Sequence, residues 1–142
     1  MNFDDRSWEV VSTPHTVELM PAEASGCRNY QGVVWYRKHF VVPAETKGQR
    51  VSIHFEAAMG KQILYLNGKR IQEHIGGYLP FTLDLTTYGV QAGDSCLLAV
   101  FVDNSDDKSY PPGKRQYTLD FTYHGGIYRD VWMIAKSPIS IT

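Results

Sequence analysis

The side chains best suited to chemistry in this 142-residue chain are concentrated in one stretch, Tyr117-Thr118-Leu119-Asp120-Phe121-Thr122-Tyr123-His124. It sets a carboxylate, two hydroxyl-bearing threonines and an imidazole among aromatic rings. Planar polar groups beside rings on a loop suit a polyhydroxylated ligand such as a sugar. The hydroxyls pair with carboxylates and amides, and the C–H faces stack on aromatics. Asp120 would serve equally well as a loop carboxylate that caps a turn. Other chemistries lack their residues. The chain has no Gly-x-Ser-x-Gly elbow, P-loop or His-Glu-x-x-His. Its five histidines, at 15, 39, 54, 74 and 124, show no ligand spacing, and no Cys-x-x-Cys pair exists for zinc. Asp103, Ser105 and Asp107 imitate the first ligands of a calcium loop, but Lys108 stands where glycine is required and Lys114 where the bidentate glutamate belongs. No metal and no cofactor is expected. Of the 15 acidic residues, none is marked by its surroundings as half of the carboxyl pair that glycoside hydrolysis requires.

A loop of this kind needs a stiff frame, and the rest of the chain reads as strands. Val33 to Val42 is the longest strand candidate, stopped by Pro43. Arg50 to Glu56 alternates, with Val51, Ile53 and Phe55 inward. Lys61 to Leu66 and Lys69 to Glu73 are joined by Asn67-Gly68, the strongest short hairpin signal in the sequence. Phe81 to Leu85 is short, and the continuously apolar Ser95 to Val102 is expected to be buried on both faces. Ser7 to Val11 reads as a short first strand, and Thr16 to Gln31 as a long irregular loop. A second long loop runs from Asn104 to about Tyr117. Gly125-Gly126 breaks regular structure, because adjacent glycines permit angles and close approaches that a Cβ would block. The strand expected after it runs from Ile127 to Ala135, with Ile127, Arg129 and Val131 on one face. Ile139 to Thr142 is expected to close the set. Eight to ten short strands without a helical pattern indicate an all-β, antiparallel two-sheet sandwich.

Composition agrees. One domain of this length buries roughly two-thirds of its unfolded surface. Hydrophobic residues make up 43% and charged residues 20%, ordinary values for a globular domain. Aromatics reach 13%, including nine tyrosines, which leans towards strands. A net charge of −1 gives no electrostatic footprint for nucleic acid or an anionic membrane. No apolar run approaches the roughly 20 residues of a membrane span. Met1 to Arg6 carries no apolar stretch of the signal-peptide kind, which leaves the compartment open. Cys27 and Cys96 are read as unlinked thiols, Cys96 facing a core. Trp8, Trp35 and Trp132 are read as packing residues rather than sugar platforms.

Six segments carry a resemblance. They are Pro14-His15-Thr16, Gly32-Val33-Val34-Trp35-Tyr36-Arg37-Lys38, Tyr65-Leu66-Asn67-Gly68-Lys69, Gly76-Gly77-Tyr78-Leu79-Pro80-Phe81, Val102-Asp103-Asn104 and Tyr123-His124-Gly125-Gly126-Ile127-Tyr128-Arg129-Asp130-Val131-Trp132. In that order and spacing they resemble the N-terminal sugar-binding domain of family 2 glycoside hydrolases, the β-galactosidase and β-glucuronidase group, over nearly the whole chain. The resemblance implies a jelly roll spanning residues 1–136, with 137–142 as an exit towards a following domain. It implies barrel and immunoglobulin-like domains as partners and a β-glycoside as substrate. Both catalytic glutamates of the family lie on the barrel, so this chain alone should not hydrolyse glycosides. By its place ten residues before Asp130, Asp120 matches the family aspartate that reaches the sugar. Asn29 and Gln31 are candidates for a second contact, although the family's spacing is not reproduced there. Tyr123 and His124 complete the substrate-side set. Arg129, Asp130, Gly125, Gly126 and Trp35 are assigned structural roles, Arg129 and Asp130 as a charge pair fixing the strand's start. An independent carbohydrate-binding module is the alternative, and it would show an exposed aromatic strip on one sheet face.

Overall fold

The computed structural model describes residues 3–19, 30–119 and 121–139. Among these, the regular structure is seven β-strands and three short 3-10 turns, with no α-helix. The strands are β1 (Val33–Val41), β2 (Arg50–Phe55), β3 (Lys61–Leu66), β4 (Lys69–Ile75), β5 (Phe81–Asp84), β6 (Ser95–Asp103) and β7 (Val131–Lys136). They form two antiparallel sheets, a four-stranded one ordered β1-β6-β3-β4 and a three-stranded one ordered β5-β2-β7. Period-two alternation in the sequence sets the layers. Val51, Ile53 and Phe55 of β2 face Cys96, Leu98, Val100 and Val102 of β6 across a core that also holds Leu64, Leu66, Phe81, Leu83 and Leu85. Each such aliphatic or aromatic side chain contributes about 1.5–3 kcal/mol on leaving water. Phe55 stacks on Phe81 with ring centroids 4.6 Å apart. Asn67 (φ 51°) and Gly68 (φ 81°) both adopt positive φ in the two-residue β3–β4 connection, as the primed hairpin turn demands.

Four expectations need correcting. Ser7 to Val11 is not a strand. Its polar neighbours are used instead to strap residues 3–8 onto β1. The Arg37 guanidinium pairs with Asp5 at 2.9 Å, donates to the Phe3 carbonyl at 3.0 Å, and lies over the Phe3 ring at 5.4 Å. Ile127 to Asp130 is irregular, and β7 begins only at Val131, because the backbone before it is committed to the contacts described below. β6 is buried on one face only; Leu97, Ala99 and Phe101 on the other face are half-covered by their neighbours. Trp35 and Trp132 are not core residues, being 42% and 53% exposed on the outer faces of their sheets, and Trp8 is half-buried. Cys96 is buried as expected. Cys27 and residues 140–142 lie outside the described residues.

The glycine pair lies in tightly packed, buried backbone. The carbonyls of Gly125, Gly126 and Ile127 accept in turn from the amides of Val17 (2.9 Å), Met59 (3.0 Å) and His15 (2.7 Å). Tyr36 seals the spot: its hydroxyl bonds His15 Nδ1 at 2.8 Å and accepts from the Ile127 amide at 3.4 Å. Burial pushes the Tyr36 phenol pKa up. A Cβ on Gly126 would collide with the Tyr36 hydroxyl, and φ is +125° there. Gly126→Ala should therefore destabilise the domain by more than about 2 kcal/mol. Gly68→Ala, at φ +81° with open space around it, should cost only about 1 kcal/mol. Urea unfolding of both variants checks the contrast.

Candidate sugar-binding loop end

Strand register decides where the candidate residues meet. Val33 at the start of β1 pairs with Asp103 at the end of β6, which also pairs with Lys61 at the start of β3. Lys61 pairs in turn with Ile75 at the end of β4. In the other sheet Phe55, ending β2, pairs with Phe81 and Val131, which begin β5 and β7. The connections 30–32, 56–60, 76–80 and 104–130 therefore all leave from one end of the sandwich. Gln31, Tyr123, His124, Gly125, Gly126, Arg129 and Asp130 all lie on them. Asp120 and Asn29 lie outside the described residues. Their chain neighbours Leu119, Phe121 and Tyr30 belong to the same end.

A buried amide ties these connections together. Asn104 is 1% exposed. Its Oδ1 accepts from the Gly32 amide at 2.9 Å and its Nδ2 donates to the Tyr30 carbonyl at 2.6 Å. The Asn104 carbonyl accepts from Gln116 Nε2 at 2.6 Å, and Gln116 is itself 2% exposed. Asp106 Oδ1 accepts twice, from the Gln116 amide at 2.8 Å and from Gln31 Nε2 at 3.0 Å. Gly125 presses against this group, since a Cβ there would stand 2.9 Å from the Tyr30 ring and 3.2 Å from Asn104 Nδ2. Asp103 and Asp107 cap their own loop, accepting from the amides of Ser105 and Ser109.

On the far side of the glycines, Tyr123 is buried with Met59 and Leu119, and Tyr128 packs against them. Burial raises the Tyr123 pKa strongly, and the nearby Tyr110, Tyr78, Asp106 and Asp103 push the same way. It is thus a neutral phenol at any working pH. His124 is half-buried, with its ring 5.8 Å from that of Tyr128 and, among the described residues, no hydrogen-bond partner for its Nδ1. Gln116 Oε1 is likewise buried and has no partner among the described residues. Arg129 ion-pairs with Glu56 at 3.5 Å rather than with Asp130, whose carbonyl accepts from the Glu56 amide at 3.0 Å. The Glu56 carboxyl is held below its usual range first by the Trp132 indole N–H at 3.1 Å and then, against some desolvation, by Arg129. The expected Arg129–Asp130 charge pair is therefore corrected to Arg129–Glu56.

These loops unite amides, carboxylates and rings around one end, which is what sugar hydroxyls and C–H faces require. A cleft of about 460 Å³ lies elsewhere, between β1 and β7. Its lining, including Phe40, Phe55, Ile127 and Met133, offers no carboxylate or side-chain amide. Comparison with known proteins decides the family: residues 2–138 match the profile of the "Glycosyl hydrolases family 2, sugar binding domain".

This chain belongs to that family.

A β-galactosidase from Thermoanaerobacter pseudethanolicus is 41% identical over 93% of the chain and 18% of its own length. A β-glucuronidase from Formosa agariphila is 33% identical over all of the chain and 16% of its own length. The crystal structure of a Bacteroides uniformis β-glucuronidase superposes on 96% of the chain and 15% of its own, with a TM-score of 0.75 at 32% identity. The family 2 sugar-binding domain thus spans about a sixth of the length of these relatives. It is the all-β antiparallel two-sheet sandwich that the strand pattern indicated and the jelly roll that the resemblance implied.

Within this family 2 domain, the sequence reading placed Gln31, Tyr123 and His124 at one end and gave no role to Asn104, Asp106 or Gln116. Asn104 stood in a recognised segment, and its burial was signalled by the apolar run before it. Nothing near Gln116 marked it as buried. Asn104→Ala would strand the Gly32 amide and the Tyr30 carbonyl. It should cost about 2–3 kcal/mol in chemical denaturation, since each orphaned buried group costs roughly 1–3 kcal/mol.

Proposed function

We propose that this domain forms one wall of the sugar pocket of a larger family 2 glycosidase, with Asp120 as its principal contact to the substrate and a barrel domain supplying both catalytic carboxylates. The observation that supports this reading most is the convergence of connections 30–32, 76–80 and 104–130 at one end. Buried Asn104 and Gln116 hold that end rigid while Asp106, Gln31 and the rings remain at its surface. A wall of this kind binds little by itself, because the remaining contacts and the exclusion of water come from the other domain. Galactosides and glucuronides both fit the reading, as the relatives include enzymes named for each.

The independent-module reading has one observation in its favour. Trp35, Phe101 and Tyr65 form an aromatic strip on the outer face of the four-stranded sheet, with centroids 5.3 and 5.6 Å from Trp35. Titration separates the two. On the wall reading, calorimetry of the isolated chain with galactose, glucuronate and mannose should give dissociation constants no tighter than about millimolar, or −4 kcal/mol. A micromolar constant abolished by Trp35→Ala would establish the module instead. The isolated chain should not turn over nitrophenyl glycosides above buffer background. In the full-length enzyme, Asp120→Asn keeps the shape and loses a charge-assisted acceptor of about 1.5–3 kcal/mol. Its kcat/KM should fall about ten- to a hundred-fold with little change in Tm. A kinetically silent Asp120→Asn, or one that unfolds the domain, would return Asp120 to a turn-capping role.

A further inference from the structure

We infer that Asp106, paired with Gln31, is a second substrate carboxylate of this loop end and takes one ring hydroxyl of the glycoside. The assignment rests on reading this end as a wall of the sugar pocket. The contacts of Asp106 set it apart from most other aspartates of the domain. Asp4, Asp5 and Asp84 are engaged by arginines. Asp94, Asp103 and Asp107 cap amides two or three residues away. Asp106 instead accepts across long separations, from the Gln116 amide ten residues on and from Gln31 Nε2 75 residues back. Both bonds end on the same oxygen, Oδ1, at 2.8 and 3.0 Å. Among the described residues nothing donates to Oδ2, and the side chain is exposed.

The carboxylate is oriented from the interior. Gln116 is 2% exposed, its Nε2 donates to the Asn104 carbonyl at 2.6 Å, and its carbonyl accepts from the Leu119 amide at 3.0 Å. Gln31 directly precedes Gly32, whose amide is fixed by Asn104 Oδ1 at 2.9 Å. Both partners of Asp106 are thus tied to buried Asn104, so the carboxylate is set in place before any ligand arrives. Bracing the loop uses only one of its oxygens. The other stands ready on the same side chain as the Gln31 contact, and the second N–H of that amide serves no described residue. An acceptor beside a donor is the complement of a hydroxyl, which donates and accepts at once. Because the acceptor is ionised, its bond to that hydroxyl is roughly twice as strong as a neutral one. A metal ion suits the place less well, since no group of three ligating side chains gathers among the described residues.

The test uses the full-length enzyme and nitrophenyl β-glycosides, measuring kcat, KM and Tm. Asp106→Asn keeps an oxygen to hold Gln116 and Gln31 and turns the free acceptor into a donor. It should lower kcat/KM on the accepted glycoside about tenfold, with Tm unchanged. Glycosides lacking one ring hydroxyl at a time identify the group contacted. On one of them wild type and Asp106→Asn should be equally active, because the lost partner is already missing. Gln31→Leu should lower kcat/KM less, about threefold, and add little to Asp106→Asn in the double variant. Normal kcat/KM in Asp106→Asn would overturn the proposal. So would a deficit of the same size on every deoxy analogue, or a fall in Tm that accounts for the lost activity, since either marks a brace and not a contact. If Asp120→Asn is impaired while Asp106→Asn is silent, only the assignment of Asp106 is lost. If both are silent, it is the wall reading that fails.

Discussion

Everything at the functional end of this domain depends on the backbone of Gly125-Gly126-Ile127 being accessible to other chain segments from several directions. Consecutive carbonyls accept amides from the segment before β1 and from the β2–β3 connection. The spaces where side chains would stand are filled by Tyr30, Asn104 and Tyr36. Those approaches are possible only without a Cβ, and the hydrogen bonds they create are formed away from water, where breaking them is costly. The hub thereby joins loops that neither sheet would hold by itself. It also explains why β7 starts four residues later than the apolar pattern indicates: the intervening backbone already has partners that a ladder would have to displace.

The fold was legible wherever side-chain periodicity coincided with burial. β2, β3 and β5 follow their alternation, and Asn67-Gly68 turns where its chemistry requires. The misreadings share a cause. Ser7 to Val11 has strand composition, but the Arg37 guanidinium draws Asp5, Phe3 and Trp8 into an ion-pair and ring cluster that a ladder could not accommodate. Trp35 and Trp132 were placed inside because large aromatics mostly contribute buried area. Register instead sets Trp35 opposite Phe101 and Trp132 opposite His54, on outward faces. Local composition does not encode which face a long-range partner will leave open.

The candidate site was legible as a region but not as a network. Tyr123, His124 and Gln31 were singled out from residue types and family resemblance, and register brings them to one end. Asn104 and Gln116 act through single side-chain amides that bridge segments distant in sequence, and no spacing rule announces such a bridge. Gln116 shows how far tertiary context governs. Flanked by Arg115 and an exposed Tyr117, it is nonetheless nearly inaccessible because its amide is needed by the Asn104 carbonyl. The same logic makes Arg129 choose Glu56 over its sequence neighbour.

Hydrogen exchange by NMR on the isolated chain tests the hub most directly. The amides of His15, Val17 and Met59 lie outside the strands, yet each donates to the glycine segment. They should be protected to the same free energy as the central amides of β6, exchanging only when the whole domain unfolds. Exchange of these three amides orders of magnitude faster than β6, under conditions where β6 stays protected, would show that the loop end opens independently and would contradict the account.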